Sequence, residues 1–343
     1  MNYRLQFPQQ LFPDNAIMRA ERVYQSRSDR WRWRWIQRAG QVFLMIGVVL
    51  SIISVGMMII SSLWLKPIIP YDDRLNVVIY ILTLFTVVWH FSLLLRTMSL
   101  SAHSIVREKE AHTWELMILT GVDARQIVRG KWWATIQQQW KRYLILAILR
   151  IGIIVWLAGL QGGWFSGTSS IYYTRTQIEL AHPVSIVWGV AFIFIVTFAN
   201  LGYTAACGVV ASVSSRRSSS AIARGLIQRT VIALLPIIVL YLVYTQIRWW
   251  SQPLSSILGI LAASAITLVD NGISVGSLLV GMSYNYMESG GTPVLRDISV
   301  DGILASAVAV VGYALITWFA LWRAERRAIH EMASPRETPS QNK

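Results

Sequence analysis

SIVREKEAHTWELMILTGVDARQIVRGK, residues 104–131, is a charged helix-turn-helix pattern set between long apolar segments. Unpaired charge in hydrocarbon costs several kcal/mol, so this island lies outside any bilayer that its apolar neighbours occupy. Ser104 reads as the cap of a first helix, with Arg107 to Glu110 as its charged early stretch. Trp114, Leu116, Met117, Ile118 and Leu119 make its last turn and a half apolar, and Thr120-Gly121 ends it. Asp123 with Gln126 forms a capping-box-like start for a second helix, which runs through Gly130, Lys131 and Trp132 into the next apolar segment. An ordered polar island joined rigidly to a membrane helix suits a docking surface better than a slack connector.

The composition around the island sets the class. Of 343 residues, 54% are hydrophobic and 14% charged, with a mean hydropathy of +0.47, whereas soluble domains are about 25% charged. A span needs about 20 apolar residues to cross a core of about 30 Å. Such runs occur at about 42–64, 75–98, 142–160, 184–212, 228–246 and 301–322. The expectation is an all-α, polytopic membrane protein with six transmembrane helices in a single transmembrane domain over 42–322. A net charge of +14 would suggest nucleic acid in a soluble protein. In a membrane protein basic residues first report orientation, and no nucleic-acid-binding fold surrounds them. The one cysteine, Cys207, lies in an apolar run, which excludes a disulfide framework and a cysteine-based metal site. The first forty residues hold no apolar core segment, so no cleavable signal peptide is expected.

The connectors fix the expected topology. Residues 1–41 carry eight arginines, the 96–142 connector eight Lys or Arg, the 213–229 connector four and the segment after Trp322 five. The intervening segments hold only Lys66, Arg74, Arg175, Arg248 and Arg296. By the positive-inside rule both termini and the 104–131 island are cytoplasmic, with 323–343 a disordered tail. The apolar stretch 254–284 is interrupted by Asp270-Asn271-Gly272, a strong turn signal, and neither piece is long enough to cross alone. It reads as a re-entrant hairpin dipping in from outside, because a seventh span would carry Arg323, Arg326 and Arg327 to the wrong side.

The amino-terminal arm, 1–41, reads as an amphipathic interfacial helix. Asp14-Asn15 can cap a helix from Ala16, with Arg19, Glu21 and Arg22 in its early turns. Arg30-Trp31-Arg32-Trp33-Arg34-Trp35 then suits a headgroup layer, indoles at the interface and guanidiniums on lipid phosphate. Within the spans, His90 with Thr83 and Thr86, Arg150, and Asn200 with Thr197 and Thr204 are the polar candidates for a pathway. His90 reads first as a histidine satisfied by a neighbouring hydroxyl or carbonyl. Arg150 either snorkels to the headgroups or meets an anionic substrate or lipid. The Thr197, Asn200 and Thr204 stripe reads first as interhelical glue. The titratable groups look scattered in depth, which argues against an integral membrane enzyme or cofactor protein, the alternative in which His90, Arg150, Asp270 and Glu288 would be the raw material.

REKEAHTWELMILTGVDARQIVRGK resembles the signature of ABC-2 type permeases, the membrane subunits of one class of ABC exporter. Arg107 to Glu110, Thr113 and Glu115, the apolar 116–119, Thr120-Gly121, and Ile127 with Gly130-Lys131 carry the likeness. Asn15 to Glu21 is similar to the family's amino-terminal start, with Ala16 where proline is usual; His112 stands where the signature has glycine. The resemblance implies a coupling helix over 104–120 that seats in a separate ABC ATP-binding subunit. Its contacts and their support would come from Arg107, Glu108, Glu110, Thr113, Trp114, Glu115, Thr120, Gly121, Gly130 and Lys131. The arm would be the connecting helix beside it. The resemblance also implies a second permease copy, identical or not, in a bacterial-type plasma membrane. ATP and Mg would be bound by the partner, leaving this chain without a cofactor. No GxxxxGK[ST] phosphate loop occurs, so the chain is expected to be a transport subunit and no enzyme.

Overall fold

The computed structural model describes residues 19–21, 23, 34–64, 73–111, 113–114, 123–164, 176–180, 182–247, 252–280, 283–286, 294–295 and 300–333. The calls on Asp14-Asn15, on residues 30–33, on Glu115 to Val122, on Glu288 and on 334–343 lie outside them.

Eight helices run through the described chain: α1 Arg34–Trp64, α2 Asp73–Glu110, α3 Ala124–Trp164, α4 Pro183–Val213, α5 Ser218–Ile247, α6 Gln252–Asp270, α7 Ile273–Val280 and α8 Val300–Ala333. Among the described residues four stretches are long and apolar enough to cross a membrane: Ile81–Glu110, Pro183–Val213, Ser218–Leu240 and Val300–Glu331. Their outward faces carry Leu84 and Phe91 on α2, Val231, Leu235, Ile238 and Leu242 on α5, and Val311, Leu315, Trp318 and Phe319 on α8, all exposed. Contiguous apolar surface of this extent is what lipid covers.

α4 is the centre of the bundle. Pro183 stands in its first turn, and the His182 side chain caps it by accepting from Val184 N–H at 3.2 Å. Every residue from Asn200 to Val213 is buried, because this half is rich in Gly, Ala, Ser and Thr, which let neighbouring backbones close in. A Cβ on Gly208 would collide with Ser101 Oγ of α2 and lie 2.8 Å from Ser101 Cβ. On the other side of the bundle α1 meets α3 at Gly152, where a Cβ would lie 2.5 Å from Ser51 Cα. The apolar core joins α3, α4, α6, α7 and α8 through Ile154, Ile193, Val196, Leu268, Val275 and Tyr313.

Three expectations change. Ser104 does not start a new helix; α2 continues without a break from Asp73 to Glu110, 38 residues or about 57 Å. The Ser104 hydroxyl, read as a cap, turns back onto its own helix instead and donates to Ser101 O at 2.7 Å, just as Thr97 Oγ1 donates to Leu93 O at 2.8 Å and Ser101 Oγ to Thr97 O at 2.9 Å. The chain turns at Ala111, so the coupling helix expected over 104–120 begins as the end of a span. The tail from 323 is not disordered at its start, because α8 runs on to Ala333 and buries Ala324, Glu325 and Ala328. The fold is also not purely helical. β1 Thr176–Leu180 pairs antiparallel with β2 Ser283–Tyr286 and parallel with β3 Val294–Leu295, tying the α3–α4 connector to the α7–α8 connector.

The break in 254–284 falls at the turn signal. Asn271 has φ 57° and Gly272 φ 87°, left-handed conformations that Asn tolerates and Gly favours. Asp270 Oδ1 accepts Gly272 N–H at 2.9 Å and closes the turn. α6 and α7 measure about 28 and 12 Å from their 19 and 8 residues. α7 is wedged between α3 and α4, with a Cβ on Gly276 coming 2.8 Å from Ile193 and 3.1 Å from Ile154.

Candidate functional site

Helical spacing puts Ser104, Arg107 and Glu108 on one face of the last turns of α2, opposite Lys131 in the second turn of α3. Lys131 is fully buried. Its ammonium donates to Ser104 O at 2.9 Å, to Glu21 Oε2 at 3.1 Å and to Glu108 Oε1. Three donors thus meet three acceptors, the condition under which a buried ammonium is tolerated. Arg107 Nη2 adds a second bond to Glu21 Oε2 at 3.0 Å, so the arm residue Glu21 bridges both helices.

Around this hub α8 and α4 are fastened to the same end of the bundle. Arg129 Nε pairs with Glu325 at 2.6 Å, and the bond holds the Arg129 guanidinium above its ordinary range. Lys109 Nζ pairs with Glu331 at 2.5 Å. Ser212 Oγ at the end of α4 accepts from Ile105 and Val106 N–H at 3.0 and 3.2 Å. Trp114 is buried among Ile105, Ile127, Val128, Val209 and Ala324, with Lys109 Nζ 5.8 Å from its ring centroid. At the start of α3, Asp123 Oδ1 accepts Arg125 N–H at 3.1 Å and caps the helix.

The residues expected on a docking face therefore divide. Glu108, Trp114, Gly130 and Lys131 point into the protein, and Arg107 is half-buried on Glu21. Glu110 and Thr113 are exposed. Glu115, Thr120 and Gly121 lie outside the described residues.

A second polar assembly lies in the bundle interior. Arg150 does not snorkel; it is 3% exposed and donates from Nη1 to Thr197 Oγ1 at 3.1 Å and from Nη2 to His90 Nδ1 at 2.9 Å. Since a guanidinium only donates, His90 Nδ1 is the acceptor in its contact with Arg150. Asn271 Nδ2 lies 3.0 Å from His90 Nε2 and donates to Val269 O at 3.2 Å, while Asn271 Oδ1 is buried without a partner among the described residues. Thr86, expected one turn from His90, bonds its own Leu82 O instead. One turn along α4, Asn200 Oδ1 accepts from Arg229 Nη2 at 2.9 Å and Thr204 Oγ1 from Arg229 Nε at 3.2 Å.

His90 and Arg150 thus meet, contrary to the scattered depths read from sequence. Sequence reasoning left Arg229 and Asn271 without functional weight and weighed Glu21 only as the end of the arm's resembling stretch. Glu21 looked like an early-turn charge, Arg229 like a connector arginine and Asn271 like turn chemistry. The available signal was that an ionisable residue inside an apolar span takes polar partners from other spans.

Comparison with known proteins finds no matching family, no similar curated protein and no similar solved structure.

Proposed function

We propose that the chain is the membrane subunit of an ATP-driven transporter of the ABC-2 permease kind, an exporter with six spans and both termini cytoplasmic. In this reading it sits in a bacterial-type plasma membrane as one of two permease copies, each engaged by an ABC ATP-binding subunit that holds ATP and Mg. The observation that carries the reading is the meeting of Glu21, Arg107, Glu108 and Lys131, three separated pieces of the resembling motif, in one buried ion-pair hub. The hub clamps the end of α2 to the start of α3 as a single lever, with Glu110 and Thr113 exposed beside it for a partner. At about 57 Å, α2 is well over the length that crosses a core of about 30 Å, so its end projects beyond the membrane with the hub. A push on the connector then moves α2 and α3 together, and with them the His90–Arg150 contact in the interior.

The test is co-purification with a candidate ATP-binding subunit bearing a Walker A lysine, together with substrate-stimulated ATP hydrolysis. The Glu115→Lys, Gly121→Val double variant is expected to insert normally and to lose both signals. Like-charge contact at a desolvated interface costs several kcal/mol, and a β-branched residue where the Thr120-Gly121 sequence calls for positive φ about 1–3 kcal/mol. Undiminished binding and coupled hydrolysis in this variant would contradict the reading.

The convergence of His90, Arg150 and Asn271 favours a second reading, an integral membrane enzyme using that histidine. It requires a His90→Ala variant to lose turnover in a preparation free of any ATP-binding subunit.

A further inference from the structure

Two guanidiniums stand on adjacent turns of one stripe of α4. Arg150 reaches Thr197, and Arg229 reaches Asn200 and Thr204. Thr197 and Asn200 are separated by a rise of only about 4.5 Å, and the two charges feel each other's field. Arginine stays protonated in protein interiors, so both positive charges are real. Yet neither guanidinium has a carboxylate at ion-pairing distance among the described residues; their side-chain partners are Thr, His and Asn. Asp270 acts on Arg150 through space, while its Oδ1 accepts the Gly272 N–H. Elsewhere in the same protein the buried cation Lys131 is matched by two carboxylates. Buried Arg150 and half-buried Arg229 therefore form a charge surplus, and at Arg150 it stands where an unmatched charge costs most.

A second observation points the same way. Asn200 is fully buried, and while its Oδ1 accepts from Arg229, its Nδ2 donor has no partner. Donors are in excess at this spot and acceptors are short. Arg229 is half-buried at the edge of the bundle, beside the exposed Ile227, Thr230 and Val231 of α5, so the group that supplies the missing acceptors has a lateral approach.

We propose that Arg150, Arg229 and Asn200 form a binding site inside the bundle for an anionic oxygen group, a phosphate or carboxylate. Guanidinium forks match the paired oxygens of such groups, and the Asn200 amide supplies a third donor. The proposal concerns the interior alone and does not require an ATP-binding subunit, so failure of the co-purification test leaves it standing.

The experiment follows thermal unfolding of the purified full chain in maltoside micelles by tryptophan fluorescence. One arm titrates inorganic phosphate against sodium chloride at equal ionic strength, and the other phosphatidylglycerol against diacylglycerol, which lacks the phosphate. At least one anion is expected to raise the midpoint above its control; the phosphate arm marks a soluble ligand and the lipid arm alone a headgroup. Arg229→Gln is expected to weaken the response about tenfold or more, the loss of one charge-assisted contact. Asn200→Asp guards against a variant that merely unfolds. It places the missing negative charge in the site, so it is expected to raise the midpoint with no anion present and to abolish the response. No stabilisation of the wild type by either anion, or an undiminished response in Asn200→Asp, overturns the proposal.

Discussion

Lys131 shows how much one residue's surroundings decide. In sequence it is the last charge of a polar island and reads as part of a solvated or docking face. In the fold it has no exposed surface and is held by Glu21, Glu108 and Ser104. Which charges are present was legible; which of them turn inward was not, because Lys131 and Glu21 are 110 residues apart and nothing local to either names the other. His90 and Arg150, separated by 60 residues, were singled out individually as interior polar groups and missed as a pair for the same reason. The hub makes a quantitative prediction. Lys131→Met strips Glu108 of its cation and leaves Glu21 to Arg107 alone, and is expected to cost about 3–5 kcal/mol, read as a lower thermal or denaturant midpoint. Adding Glu21→Gln and Glu108→Gln to that variant removes the stranded charge and is expected to recover most of the loss. A single variant as stable as the wild type would show that the hub does not hold the helix ends.

At the scale of elements, the legible features were those with local chemistry. Asn-Gly marks the α6–α7 turn because these residues adopt left-handed φ cheaply. Asp123 marks the start of α3 because its carboxylate reaches a free N–H. Elements extended by tertiary contact were misjudged. α2 runs through three hydroxyl residues that could equally have been caps, and the short strands, of five, four and two residues, gain their partners only from each other. α8 passes its apolar limit at Trp322 because Ala324, Glu325 and Ala328 find a place against α3 and α4. Ending the chain after Trp322 is therefore expected to be destabilising. It removes the Arg129–Glu325 and Lys109–Glu331 pairs and the alanine packing, a loss of at least about 2 kcal/mol. Equal midpoints for the truncated and full chains in detergent would return this segment to the status of a tail.

At the scale of the whole molecule, a helical membrane class was written in the composition, since long apolar runs have few other uses in a folded protein. The position of the polar island between two long helices, α2 and α3, was equally plain. What emerges only in three dimensions is that the bundle has two polar centres, a neutralised hub at the end of α2 and an unneutralised one beside α4, joined by α2 and α3. The account makes the hub a clamp and the connector beyond it the place where an ATP-binding subunit acts. A photo-crosslinking amino acid at Thr113, exposed and one residue before buried Trp114, tests this most directly in intact membranes of cells making the full chain. The account predicts a crosslink from position 113 to a protein carrying a Walker A lysine, and none from the same probe at exposed Val311 on the apolar face of α8. Capture of no ATP-binding protein at position 113, with the chain folded and inserted, contradicts it.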